Sequence, residues 1–111
     1  MKITLEKAND QVGVVKIEGR IDSSNNSKFK NEFTQFLGDF KNFVFDCSEM
    51  EFIDSSGLGA ILSCLKSVTK AKGDLYIASL QSKPRMLFEI TRAYKIFDVY
   101  DNVDAAVTSF E

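Results

Sequence analysis

Apolar and polar positions alternate from the start of the chain. In residues 2–7, Ile3 and Leu5 face one way while Lys2, Thr4 and Glu6 face the other, which predicts a half-buried strand. Ala8-Asn9-Asp10-Gln11 reads as a turn. Residues 12–18 predict a second strand, with Val15 and Ile17 inward and Lys16 and Glu18 outward; the short connection makes the pair an antiparallel hairpin. Gly19-Arg20-Ile21-Asp22 is expected to break that strand, and Ser23, Ser24, Asn25 and Asn26 offer helix caps. Phe29, Phe33, Phe36 and Leu37 follow at helical spacing, with Gly38 as the stop.

The period then changes. Phe43-Val44-Phe45 is apolar on both faces, as a central strand covered on both sides must be, and Asp46 and Cys47 lead out of it. After a loop, Leu58, Ile61, Leu62, Leu65 and Val68 form a second helical stripe closed by Gly73. Its opposite side carries the small residues Gly59, Ala60, Ser63, Cys64 and Ser67, which would let another backbone approach. Leu75-Tyr76-Ile77-Ala78 is a short buried strand. Ser82 is the expected cap of a third helix, with Pro84 in its first turn and Met86, Leu87 and Ile90 as its buried side. Residues 96–100 read as a last strand, and Asp101 or Asn102 caps a final helix through Val103, Ala106, Val107 and Phe110.

The order ββαβαβαβα predicts an α/β fold. Its mixed sheet has four to five strands, begins with an antiparallel hairpin and is flanked by about four helices. A chain of 111 residues suits one such domain, spanning residues 1–111. Ser55 is expected at the N-terminus of the helix that starts near residue 56, and Phe33 and Leu62 are expected to sit at the centres of buried stripes.

Charge narrows the function. With 14 basic and 16 acidic residues, no basic field exists to hold nucleic acid, and the phenylalanines have no basic residues between them to make a base-stacking platform. No apolar run reaches the length of a membrane span, and the first residues lack the apolar run of a signal peptide. Cys47 and Cys64 form no disulfide framework, read as small core residues, and point to a reducing cytoplasm. Histidine is absent, which removes Ser-His-Asp and Cys-His catalysis together with most zinc and haem sites. No metal or other cofactor is expected.

The unusual stretch is Glu51-Phe52-Ile53-Asp54-Ser55-Ser56-Gly57-Leu58-Gly59. Two hydroxyls stand where a loop turns into the second long helix. One serine is enough for an N-cap, and Ser56 is the expected one; the other lies where a helix end tolerates an anion. Asp54 is expected to hold the loop by accepting backbone N–H groups, and Asp22 is either a turn residue or part of the same site. Neither Ser-x-x-Lys nor Gly-x-Ser-x-Gly surrounds Ser55, so a serine enzyme is not expected. A metal-holding acidic pair, as in a receiver domain, is missing after the first strand.

These residues resemble a known family. Phe52-Ile53-Asp54-Ser55-Ser56-Gly57-Leu58-Gly59-Ala60 is similar to the signature of the STAS domain, in particular of bacterial anti-sigma factor antagonists. Gly19-Arg20-Ile21-Asp22 resembles that family's segment after its second strand. Val44-Phe45-Asp46-Cys47-Ser48 resembles its central strand, with Cys47 where leucine is more usual; Lys83-Pro84 departs from the family's pattern. The resemblance implies a non-enzymatic switch. In it, Ser55 is phosphorylated by a partner anti-sigma factor that is also a serine kinase. The unphosphorylated form captures that partner and releases the sigma factor, and a serine phosphatase restores the hydroxyl. Asp22, Ser23, Asp54, Ser55, Ser56, Gly57 and Leu58 are the residues this implies at the partner interface. The alternative is a STAS scaffold or accessory subunit of a larger assembly, stressosome-like or lipid-transporting, without a phosphoswitch.

Overall fold

The computed structural model describes every residue from Met1 to Glu111. Its elements run β1 (Lys2–Lys7), β2 (Val12–Ile21), α1 (Asn26–Thr34), β3 (Asn42–Ile53), α2 (Ser55–Lys70), β4 (Leu75–Ala78), α3 (Ser82–Ile90), a single 3-10 turn (Ala93–Lys95), β5 (Asp98–Tyr100) and α4 (Val103–Thr108). The five strands lie side by side in chain order. β1 pairs antiparallel with β2, and all other pairs are parallel. This is the mixed sheet with an N-terminal hairpin that the alternating periods predict.

Helices α1, α2 and α3 cover one face. The main core joins Phe29 and Phe33 of α1, Ala60, Ile61, Cys64 and Val68 of α2 and Phe88 of α3 to the sheet residues Val15, Ile17, Phe45 and Ile77. Edge-on aromatic contacts organise its centre, where the Phe33 ring lies 5.0 Å from Phe43 and 5.2 Å from Phe45. The other face is covered in part by α4, whose Ala106 is buried against Val12, Val14, Val44 and Ala78.

Several expectations change. Gly19 does not break β2, which continues to Ile21 through two register irregularities against β3; Gly19 takes φ +90° there, a conformation open to glycine. Nor does β3 end at Asp46: it runs on to Ile53, because β2 continues beside it and supplies hydrogen-bonding partners. α1 stops at Thr34, so Phe36 and Leu37 lie in the turn beyond it, half-buried against the same core. In α2 the buried line is Gly57, Ala60, Ile61, Cys64 and Val68, while Leu58, Leu62 and Leu65 are half-exposed. On the small-residue side the expectation holds: α1 lies against it, beside Ser63, Cys64 and Ser67, and Ala60 and Cys64 are core residues. α3 is capped at Gln81, and it buries Pro84 and Phe88 while Met86 and Ile90 point to solvent. Ile96 and Phe97 precede β5 and do not join it.

Candidate functional site at the start of α2

β2 and β3 are parallel neighbours, and Ile21 stands in register with Ile53. The next residues, Asp22 and Asp54, therefore leave the sheet side by side at its C-terminal edge. The Asp54 N–H donates to the Ile21 carbonyl at 3.3 Å. Asp54 then turns into α2 from an extended backbone, and its Oδ1 accepts the Gly57 N–H at 2.9 Å. Asp54 is thus the N-cap, and the expectation that Ser56 fills that position is overturned. The reason is positional: Ser55 is already the first helical residue, so both serines lie inside the helix. Asp54 does hold the turn through backbone N–H groups, as its residue type suggests.

Because Asp54 takes the cap, both hydroxyls are left over. Ser55 and Ser56 are exposed, and neither side chain donates or accepts a hydrogen bond within the chain. Gly57 is the hinge of this packing. A Cβ there would lie 2.5 Å from the Ile21 carbonyl oxygen and 2.8 Å from Ile53 Cγ1. Only a glycine lets the first turn of α2 rest against the ends of both strands.

The loop from Asp22 to Asn26 is tied down just as tightly. Ser24 donates its backbone N–H and its hydroxyl to the Asp22 carboxylate, and Arg20 Nε lies 3.5 Å from Asp22 Oδ2. The Ser24 hydroxyl, then its N–H, and to a lesser extent Arg20 hold the Asp22 carboxyl below the usual carboxylate range. The Asn25 side chain accepts the Asp22 N–H at 3.0 Å and donates to the Arg20 carbonyl at 2.9 Å. Asn26 Nδ2 reaches the Ser56 carbonyl at 3.4 Å and so links the start of α1 to the start of α2. Ser23 is exposed at the tip of this loop.

The two serines face different neighbourhoods. The backbone carbonyl of Ser56 is tied to α1 through Asn26. Ser55 helps line a mostly apolar groove of about 240 Å³ together with Leu58, Leu62, Thr91, Ala93, Ile96 and Phe97. The residues missed from sequence are the ties Asn25 and Asn26 and the groove wall Ala93, Ile96 and Phe97. No local signal in the chain puts 93–97 beside Ser55; the fold does.

Chemically, this is an accessible hydroxyl on a rigid frame, next to a carboxylate, Asp54, that is already engaged by the Gly57 N–H. A phosphate on Ser55 would be favoured by the N-terminus of α2 and opposed by the adjacent Asp54 carboxylate. Both cysteines are free and buried; burial raises the Cys47 thiol far above its ordinary value and pushes Cys64 up to about 12, which keeps both in the less reactive protonated form. No helix is long and apolar enough to cross a membrane.

A mixed sheet in simple order, with an Asp-capped helix presenting a free serine, defines a class that comparison with known proteins identifies. Residues 4–106 match the STAS domain, and the chain belongs to that family. BtrV of Bordetella bronchiseptica, named as a candidate anti-sigma factor antagonist, is 28% identical over 112 residues, covering 100% of this chain and 96% of the relative. The crystal structure of a candidate anti-sigma factor antagonist from Thermotoga maritima superposes with a TM-score of 0.87 at 25% identity, covering 96% of this chain and 92% of the other. The fold is also that of the Bacillus anti-sigma factor antagonist SpoIIAA. Its unphosphorylated form aligns with a TM-score of 0.71 at 15% identity over 97% of this chain and 96% of the other. The phosphorylated form aligns at 0.74 and 15% over 99% and 100%.

Proposed function

We propose that this chain is a non-enzymatic anti-sigma factor antagonist switched by phosphorylation of Ser55. In this reading residues 1–111 act as one STAS domain in the bacterial cytoplasm. The unphosphorylated domain binds an anti-sigma factor that is also a serine kinase, and the sigma factor is released. Phosphorylation ends the binding and a serine phosphatase restores it. The observation that carries the reading is the Asp54 cap, which leaves the Ser55 hydroxyl exposed and unbonded at the first position of α2. The names of the relatives agree with it, and the phosphorylated form named for SpoIIAA supplies a precedent on the same fold.

The interface proposed around Ser55 uses Asp22, Ser23, Asp54, Ser56, Gly57 and Leu58. Asp22 and Asp54 are held by their own hydrogen bonds, so the surface is ready before a partner arrives. The phosphate has no need to reshape the domain. An added charge of about −1.5 to −2 that must be desolvated against a surface shaped for a hydroxyl is enough to oppose binding.

The test is co-purification from the native cell with and without phosphatase treatment, followed by location of the phosphate by mass spectrometry. Ser55→Ala should retain the partner and lose the phosphate. Ser55→Asp should weaken binding by about tenfold or more, on the order of 1.4 kcal/mol. Stoichiometric phosphate on Ser56, Ser23 or Ser24 in place of Ser55 would overturn the assignment. A bound partner with no phosphate at any serine would favour the scaffold alternative.

A further inference from the structure

The sheet has two edges, and they are built differently. β5 is three residues long and offers little to pair with. β1 is six residues long and keeps an unbroken register with β2 from Lys2 to Lys7, so no bulge bends it. It contains no proline, and its residues are exposed or half-exposed throughout. A regular, open edge of this kind pairs with another strand unless something blocks it.

Charge is the usual block, but here the charges are arranged to match themselves. Lys2, Thr4 and Glu6 lie on the polar side of β1; Ile3 and Leu5 lie on the other side, packed against the main core and only partly covered. A second copy meeting β1 about a two-fold axis normal to the sheet must keep apolar side to apolar side, because a one-residue slip turns every side chain over. Centred on Thr4, the pairing puts Lys2 opposite the partner's Glu6, Ile3 opposite the partner's Leu5 and Thr4 opposite the partner's Thr4. Centred on Ile3, it loses both ion pairs and leaves Glu6 unopposed. Centred on Leu5, it sets Ile3 against the charge of the partner's Lys7.

We propose that β1 is a self-association edge that joins two copies of this chain antiparallel in the Thr4-centred register. The two sheets become one, two Lys2–Glu6 pairs form on the polar side, and the exposed flanks of Ile3 and Leu5 close over each other. The contact is smaller than a stable dimer needs, so the association is weak and concentration-dependent. None of the residues it uses belongs to the Ser55 site, and the proposal stands or falls apart from the phosphoswitch.

Cysteine pairing tests the register. Residues directly opposed across antiparallel strands have Cα atoms about 4.5 or 5.5 Å apart, within reach of a disulfide. Thr4→Cys should therefore cross-link under mild oxidation roughly tenfold faster than Lys28→Cys, an exposed control on α1, because association raises the local thiol concentration. Lys2→Cys should cross-link with Glu6→Cys faster than with itself. Adding Lys2→Glu to Thr4→Cys should slow the reaction, and adding Glu6→Lys as well should restore it. Sedimentation at high protein concentration reads the same charge series without any cysteine, which covers the case of a poorly folding variant. Equal rates for Thr4→Cys and Lys28→Cys, or no response to the charge reversal in either measurement, overturns the proposal.

Discussion

The α1–α2 pair and the α3 segment carry apolar stripes that look alike along the chain and end in opposite places. In α1, Phe29 and Phe33 are fully buried, and the Phe33 ring meets two phenylalanines of β3. In and after α3, Met86 is 57% exposed, Ile90 75% and Ile96 58%. The difference is one of rotation and cover. α1 and α2 lie against each other and against the sheet, so each has apolar neighbours on two sides. α3 lies on β3 and against the 3-10 turn Ala93–Lys95, and it turns Pro84 and Phe88 inward in place of Met86 and Ile90. A helical stripe tells which residues share a side; only the neighbours decide which side is buried.

Stability measurements can break this comparison. Phe33→Ala should cost about 3–5 kcal/mol, since it removes a ring from the centre of the core and leaves a cavity. Ile90→Ala should stay within about 0.5 kcal/mol, as exposed substitutions do. Leu62→Ala should fall between them, because Leu62 is half-covered. Urea unfolding midpoints at constant slope give all three. A loss at Ile90 comparable to that at Phe33 would mean that α3 is rotated from the position described.

Two glycines of α2 sharpen the contrast further. Gly57 touches the Ile21 carbonyl oxygen, whereas a Cβ at Gly59 would meet nothing within 4 Å. Gly57→Ala should destabilise by about 1–3 kcal/mol, because backbone must move to admit the methyl group. Gly59→Ala should stabilise by roughly 0.5–1 kcal/mol through helix propensity. Opposite signs for the same substitution two residues apart, read from the same unfolding curves, would confirm that α2 is pressed onto β2 and β3 at its first turn. Equal signs would show that it is not.

The periods along the chain were enough for the element order and the antiparallel hairpin, because alternation and the 3.6-residue repeat are local properties. They were not enough for strand lengths. Asp46, Ser48, Glu49 and Glu51 read as a loop, yet β3 runs through them because it has β2 beside it, a contact made far along the chain. The same limit applies at the site. Asp54, Ser55 and Gly57 were legible as a helix start, since capping chemistry acts within a few residues. Which residue caps was not, because an offset of two residues decides between Asp54 and Ser56 and only the backbone at Asp54 fixes it. The groove beside Ser55 was not legible at all, because Ile96 and Phe97 reach it only through the fold.

A capping measurement bears on that offset. The Asp54 carboxylate satisfies the Gly57 N–H, one of the donors that every helix start leaves without an intrahelical partner. Its charge also sits favourably at the positive end of α2. Asp54→Ala should therefore cost about 1 kcal/mol, the usual loss for an N-cap acid. Ser56→Ala should cost next to nothing, because the Ser56 hydroxyl caps no group in the helix. Asp54→Asn keeps an acceptor oxygen and should fall between the two. The alternative in which Ser56 is the cap predicts the reverse order for the first pair, and the unfolding midpoints of the three variants decide between them. The outcome reaches the functional reading as well: if Ser56 were the cap, Asp54 would be free of its task, the helix would begin two residues further on, and Ser55 would lie before it and not in its first turn.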